Sequence, residues 1–108
     1  MAPDLQLDVL LCPDEGGWLA HCLQLDLAEW GETLEAAQGN LLDVVRAHVE
    51  SAVENENLEH LFHPAPREVW KAFFHAELLR ESRIQLDVPA EVFPPIRVRE
   101  ASVSRASA

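Results

Sequence analysis

The first 45 residues contain no lysine and no arginine, although they hold nine aspartates and glutamates. This segment therefore carries −9 of the formal net charge of −11, whereas residues 83–108, with three acids and four arginines, are the only part with a positive balance. A field of this sign repels nucleic-acid phosphates and anionic membranes, and it speeds encounters with a basic partner. We therefore expect this chain to bind protein, with no direct contact to nucleic acid or membrane.

Long apolar runs and abundant cysteines are also missing. No stretch approaches the roughly 18 residues of a membrane-spanning helix, and residues 1–4 lack the positive charge that begins a secretory leader. From this we expect a cytoplasmic protein. Two cysteines do not make a disulfide scaffold, and 108 residues with 48% hydrophobic side chains are typical of one globular domain with its own core.

Alternating apolar residues predict a β-hairpin near the N-terminus. Residues 5–12 and residues 18–25 each place apolar side chains at every second position, and turn-forming residues 13–17 lie between them. Closing the hairpin over that loop sets Cys12 opposite Trp18. One face then forms the core, and the other is apolar enough to need a second layer or a second subunit.

The same register predicts the state of the cysteines and of one histidine. Asp8 lies opposite Cys22, so Cys12 is four positions out of register with Cys22, about 13 Å along the strands. This separation is too long for a disulfide, and both thiols are predicted to be free. His21 falls on the core face, where we expect a buried, hydrogen-bonded histidine.

Helical periodicity follows the hairpin. Residues 27–31 can add a short third strand, and Thr33 is a plausible N-cap for a long helix with a wide apolar stripe that ends near Glu54. Pro66 suits the first turn of a second helix. Residues 83–89 then alternate as a fourth strand would.

These elements predict an α+β fold. We expect a single domain over residues 1–90, in which a small antiparallel sheet of three N-terminal strands and one later strand carries a long helix, with a second helix in the C-terminal half. Residues 91–108, which include Pro94 and Pro95, are expected to form a partly extended tail with a frayed end.

No residue pattern specifies catalysis or a cofactor. His60, His63 and His75 are candidate metal ligands, but no cysteine pair accompanies them and exposed loop histidines are the commoner case. His21 and Cys22 are neighbours in a strand, so their side chains point to opposite faces and do not form a catalytic pair. We therefore expect neither an enzyme nor a bound metal or cofactor.

Three short segments resemble the HicB-like family. They are residues 16–27 (GGWLAHCLQLDL), residues 31–37 (GETLEAA) and residues 40–41 (NL), in which a glycine turn, an aromatic residue and Gly-x-Thr before a helix follow in the family's order. The resemblance implies a partly RNase H-like α+β fold. It also implies an antitoxin-like role, because many members bind HicA-like toxins, which are small, basic, RNA-cleaving proteins.

The chain departs from that family in two places. Residues 23–27 replace a Pro-Asp-Leu-Pro-Gly segment common in the family. Residues 83–108 are too short and too broken by proline for the DNA-binding module that members usually append. The resemblance therefore implies a stand-alone binding domain without operator binding.

Three hypotheses follow. The first is a non-enzymatic protein-binding module that neutralises or scaffolds a small basic partner; the second is a homo-oligomeric structural protein, a dimer or tetramer; the third is a metal-dependent enzyme. Four acids are expected at turns or a sheet edge and are the candidate partner contacts, with a divalent-ion site or a solvated rim as alternatives. They are Asp14, Glu15, Asp26 and Glu29.

Overall fold

A computed structural model describes residues 4–103 as one mixed five-stranded sheet with a helix on each face. The prediction of an α+β fold is confirmed. The strand order is β3-β2-β1-β5-β4, in which β5 runs parallel to β1 and every other neighbouring pair is antiparallel. In chain order the elements are β1 (Leu5–Asp14), β2 (Gly17–Cys22), β3 (Leu27–Gly31), α1 (Leu34–Glu54), a turn of 3-10 helix (Leu58–His60), α2 (Arg67–His75), β4 (Glu77–Ile84) and β5 (Ile96–Ser102).

The β1–β2 hairpin closes over two residues rather than five. Asp14 pairs with Gly17, and both Glu15 (φ 47°) and Gly16 (φ 82°) between them adopt positive φ. Positive φ at both central residues is the type I′ geometry that matches the twist of paired strands. The shorter loop places Cys22 opposite Val9, so the register expected from the sequence was wrong by one position.

A slip of one residue moves every side chain of a strand to the other face of the sheet. Cys22 therefore packs with Val9 in the core beneath α1, whereas His21 lies on the α2 side, opposite Leu10. The expectation that His21 lies on the core face beneath α1 is thus corrected. Cys12 and Cys22 lie on opposite faces, and both are free thiols as predicted.

Helix α1 begins at the expected cap and covers one face of the sheet. The hydroxyl oxygen of Thr33 accepts a hydrogen bond from the Ala36 backbone nitrogen at 3.0 Å, which satisfies one of the free donors of the first turn. Its buried side chains recur at steps of three and four and pack on β1 and β2: Ala37, Leu41, Val45, Val49 and Ala52. Among the described residues, no helix has the length and apolarity needed to cross a bilayer.

The second face of the hairpin is covered by α2, which supplies the layer that the sequence required. Phe73 of α2 packs with Leu10, Leu23 and Ala101 in a second, smaller apolar cluster. The segment before α2 is held in place by a hydrogen bond that the Ala65 backbone nitrogen donates to the Leu23 carbonyl at 2.7 Å. This helix covers only part of its face, and the β4–β5 end of that face stays open.

The C-terminal part differs most from the expectation. The fourth strand is Glu77–Ile84 rather than residues 83–89, because α2 ends at His75 and Ala76 is already extended. The expected tail contains a central strand, since Ile96–Ser102 pairs with β1 on one side and β4 on the other. The fraying predicted from residue 101 onward is wrong for Ala101 and Ser102, which belong to β5, and residues 104–108 lie outside the described residues.

Two glycines test the packing of α1. A Cβ on Gly31 would clash with the Ala37 backbone nitrogen, whereas a Cβ on Gly39 would meet open space on the exposed side of the helix. We expect Gly31→Ala to lower the free energy of unfolding by about 2 kcal/mol or more. Gly39→Ala should raise it by about 0.5–1 kcal/mol. Urea denaturation measures both, and equal midpoints for the two variants would contradict the close approach of β3 to α1.

Candidate functional site

Trp30 lies on the edge strand β3 and is 44% exposed, which is unusual for a side chain of this size. The indole Nε1 donates to the Asp14 backbone oxygen at 3.0 Å. Asn40 of α1 donates to the Trp30 carbonyl at 3.0 Å, and a Cβ on Gly17 would clash with the indole ring. The ring is therefore held in place against the hairpin while one side stays open to solvent.

Three of the four predicted contact acids lie near this tryptophan. Asp14 ends β1 and Glu15 is in the exposed hairpin turn, whereas Glu29 precedes Trp30 on the same edge strand and therefore points to the opposite face of the sheet. We call Trp30, Asp14, Glu15 and Glu29 the β3 edge surface. Asp26 is not part of it, because Asp26 lies in the turn at the other end of β2.

Asp26 has a local partner instead. Its Oδ1 lies 2.6 Å from the Nε2 of His21, and both side chains are partly buried. Asp26 lies in the turn between β2 and β3 and adopts a positive φ of 53° there. Its bond to His21 links this turn to β2. Within the described residues no thiol or hydroxyl bonds to His21, and the pair lacks the nucleophile that a catalytic triad needs.

A second exposed surface lies at the other edge of the sheet. Phe74 at the end of α2 is 69% exposed, and Leu78 and Leu79 of β4 are 58% and 45% exposed. We call these three residues the β4 edge patch. Sequence periodicity missed it because residues 73–78 read as one helix, and because a bulge between Leu78 and Arg80 breaks the alternation of the strand.

Two buried carboxylates occupy the centre of the sheet, one on each face. Asp8, on the α2 side, accepts from the Arg99 Nε at 3.0 Å and from the Gln24 Nε2 at 2.8 Å. The Arg99 guanidinium also lies over the Phe73 ring, 5.2 Å from its centroid. These contacts neutralise a charge that is costly to bury alone.

Glu100 is fully buried on the α1 side. Its Oε2 accepts from Ser82 Oγ at 3.0 Å, Gln38 Nε2 at 3.1 Å and Arg80 Nε at 3.3 Å, while its Oε1 has no partner among the described residues. The cluster ties β5 to β4 and to α1. A single glutamate within a strand gives no sequence signal of such burial, so the cluster was not predicted.

The thiols are poor nucleophiles. Burial, and to a lesser degree the charge of Asp14, raises the pKa of Cys12 above its usual value. Burial raises the pKa of Cys22 to about 11, although hydrogen bonds from the backbones of Leu25 and Gln24 lower it in part. Both side chains are therefore neutral near pH 7, and neutral thiols react slowly.

The candidate metal ligands do not converge. Among residues 4–103 no group of three or more His, Cys, Asp or Glu side chains is placed to hold a metal ion. His60 is largely exposed and lies 3.5 Å from its neighbour Glu59. His63 and His75 are exposed as well.

Comparison with known proteins gives no relative. A scan against known protein families finds no match, and searches of characterised proteins and of solved structures find none either. The HicB-like resemblance therefore stays a prediction.

The raised pKa of Cys22 predicts a loss of stability in alkali. The folded state favours the neutral thiol, so this contribution is complete below the ordinary pKa of 9.0 and disappears as the pH rises through about 11. A shift of this size is worth at most about 3 kcal/mol. Few other groups titrate in that window, since the chain has no tyrosine and one lysine.

Urea midpoints measured from pH 8 to pH 11 test this expectation. The fall in stability should become much smaller in Cys22→Ala and should change little in Cys12→Ala, whose thiol is less buried. An unchanged fall in Cys22→Ala would contradict the burial of that thiol.

Proposed function

We propose that this chain is a protein-binding module without catalytic activity, and that its β3 edge surface binds a small basic protein. The observation that carries the proposal is Trp30, which is exposed on an edge strand and fixed by its bond to Asp14. Tryptophan is among the residues that most often dominate binding energy at protein interfaces. An anchored ring loses little side-chain entropy on binding.

Charge favours a basic partner at this edge. The N-terminal 45 residues carry −9, and part of that charge lies along this edge, with Asp14 and Glu15 at the hairpin end that holds the indole and Glu29 on the opposite face of β3. Opposite charges at the rim of an interface raise the association rate at low salt. The outer backbone groups of an edge strand also offer hydrogen bonds to an added strand.

The HicB-like resemblance supports the same class of partner. An antitoxin of that family binds a small, basic, RNA-cleaving toxin, and such a protein has the charge that the β3 edge surface favours.

We expect the partner to depend on Trp30 and on its neighbouring acids. Tagged chain should be recovered from its native cells with a protein rich in lysine and arginine, identified by quantitative mass spectrometry. Trp30→Ala, and separately Asp14→Asn with Glu15→Gln and Glu29→Gln, should each reduce its recovery about tenfold or more. The acid variant should lose more at low salt, where charges are least screened.

The matched control is Phe62→Ala, which removes an aromatic side chain that is 48% exposed outside this surface. It should leave recovery unchanged. If no basic protein is enriched, or if the Trp30 and Phe62 variants behave alike, the proposal is wrong.

A second candidate function, self-association into a homo-oligomer, is favoured by the β4 edge patch. Its apolar residues lie beside side chains of both signs on one strand: Glu77, Arg80, Glu81 and Arg83. A strand with mixed charge can pair with a second copy of itself without net repulsion, as a two-fold interface requires. The same edge therefore suits a second copy better than a strongly basic partner.

Light scattering tests self-association. We expect a particle of at least twice the 12.1 kDa chain mass at micromolar concentration. Leu78→Glu combined with Phe74→Ser should return it to the monomer, because the first places a charge at the proposed contact and the second removes apolar area. Phe62→Ser is the control and should leave the mass unchanged. A wild-type monomer would contradict this candidate and leave the β3 proposal intact.

A further inference from the structure

Two arginines lie directly opposite each other on the open part of the α2 face. Arg83 of β4 pairs in register with Arg97 of β5. Like charges at such a position destabilise a sheet, since opposite Cβ atoms are only about 5 Å apart. Two opposed arginines are unexpected in a chain of net charge −11, because its acidic residues outnumber its basic ones.

The arginines of β4 and β5 are not equally neutralised. Three of them contact a carboxylate, in the pairs Arg80–Glu100 at 3.3 Å, Arg83–Asp4 at 2.9 Å and Arg99–Asp8 at 3.0 Å.

Arg97 differs from these three. Its Nη2 donates to the uncharged Gln6 Oε1 at 3.3 Å, and among the described residues no carboxylate pairs with it. Its Nε is shielded from solvent and has no acceptor in that part of the chain. The positive charge of Arg97 is thus compensated less than that of its neighbours, at a partly buried position where charge is costly.

A cavity opens beside this guanidinium. It has a volume of about 290 Å³ and is lined by Glu81, Ser82, Arg83 and Arg97. No residue of α2 lines it, because α2 packs on Leu10, Leu23 and Ala101 and against the Arg99 guanidinium instead. A small anion can therefore reach both arginines.

We propose that Arg97 and Arg83 form a binding site for a small oxyanion, of the carboxylate or phosphate type. Planar guanidinium groups bind such oxygens through paired N–H donors, and charge-assisted bonds of this kind are the stronger ones. One bound anion between the two strands also offsets the charge of Arg97, whereas Arg83 is already compensated in part by Asp4. This site shares Glu81 and Arg83 with the β4 edge, but it rests on Arg97 and does not depend on either proposed protein interface.

Glu81 weakens anion binding at the site. It lines the cavity on the same strand as Arg83 and adds a negative charge at the rim. A carboxylate there opposes anions in general, so only ligands that reach the guanidinium groups directly gain enough to bind. The site should therefore be tightened by removal of this charge.

The experiment is an NMR titration of the full chain with inorganic phosphate and, separately, with acetate, with sodium chloride adjusted to hold ionic strength constant. We expect at least one anion to give saturable shifts at the Nε–H of Arg97 and at the amides of Ser82 and Arg83. The dissociation constant should be about 10 mM or lower. The anion that binds more tightly identifies the type of ligand.

Matched variants distinguish a specific binding site from a general effect of net charge on anion binding. Arg97→Gln and Arg83→Gln should each weaken binding about tenfold. Arg46→Gln makes the same charge change on the exposed side of α1 and should have no effect. Glu81→Gln should tighten binding about threefold, because it removes a nearby repelling charge.

Arg83 is exposed, so its replacement tests the site even if Arg97→Gln fails to fold. The proposal is overturned if neither anion gives saturable shifts at these groups. It is also overturned if Arg83→Gln and Arg46→Gln bind alike.

Discussion

The parallel pairing of β5 with β1 is the contact on which the rest of the structure depends. Leu5 to Leu11 pair residue by residue with Ile96 to Ser102, although most of the chain lies between the two strands in sequence. Strand β5 lies between β1 and β4 and pairs with both, so it joins β4 to the rest of the sheet. Without it β4 would have no neighbour, and the β4 edge patch and the paired arginines would not exist.

Charge fixes the register of that pairing. Asp8 lies directly opposite Arg99 and bonds to it, while Glu100 next along β5 bonds to Arg80 and Ser82 of β4. A slip of one residue would move Asp8 and Arg99 to different neighbours and bury at least one charge without a partner. Such a loss costs several kcal/mol, so these pairs serve specificity more than net stability.

The sequence carried enough information for α1 but not for the sheet register or for β5. The helical period and the Thr33 cap depend only on residues close in sequence, and the structure confirms both the helix and its cap. The predicted hairpin register was wrong because glutamate at a positive φ is uncommon, so Glu15 did not indicate a two-residue turn. Strand β5 was hidden because buried Glu100 reads as a surface residue, and its partners Gln38 and Arg80 come from distant parts of the chain. The short third strand that contains Trp30 was predicted from the sequence, but the exposure of its ring and its bond to the Asp14 backbone were not.

The open sheet leaves two edges, and their chemistry is different. Strand β3 is short, carries the exposed Trp30 and has acidic residues near it. Strand β4 carries exposed leucines together with acidic and basic side chains. Four strand spacings of about 4.8 Å separate them, close to 19 Å. A partner at one edge therefore does not cover the other, so a basic protein on β3 and a second copy on β4 can be bound together. Two-fold pairing through β4 would then present two β3 edges on one particle, and a partner that itself carries two binding sites would gain avidity from engaging both.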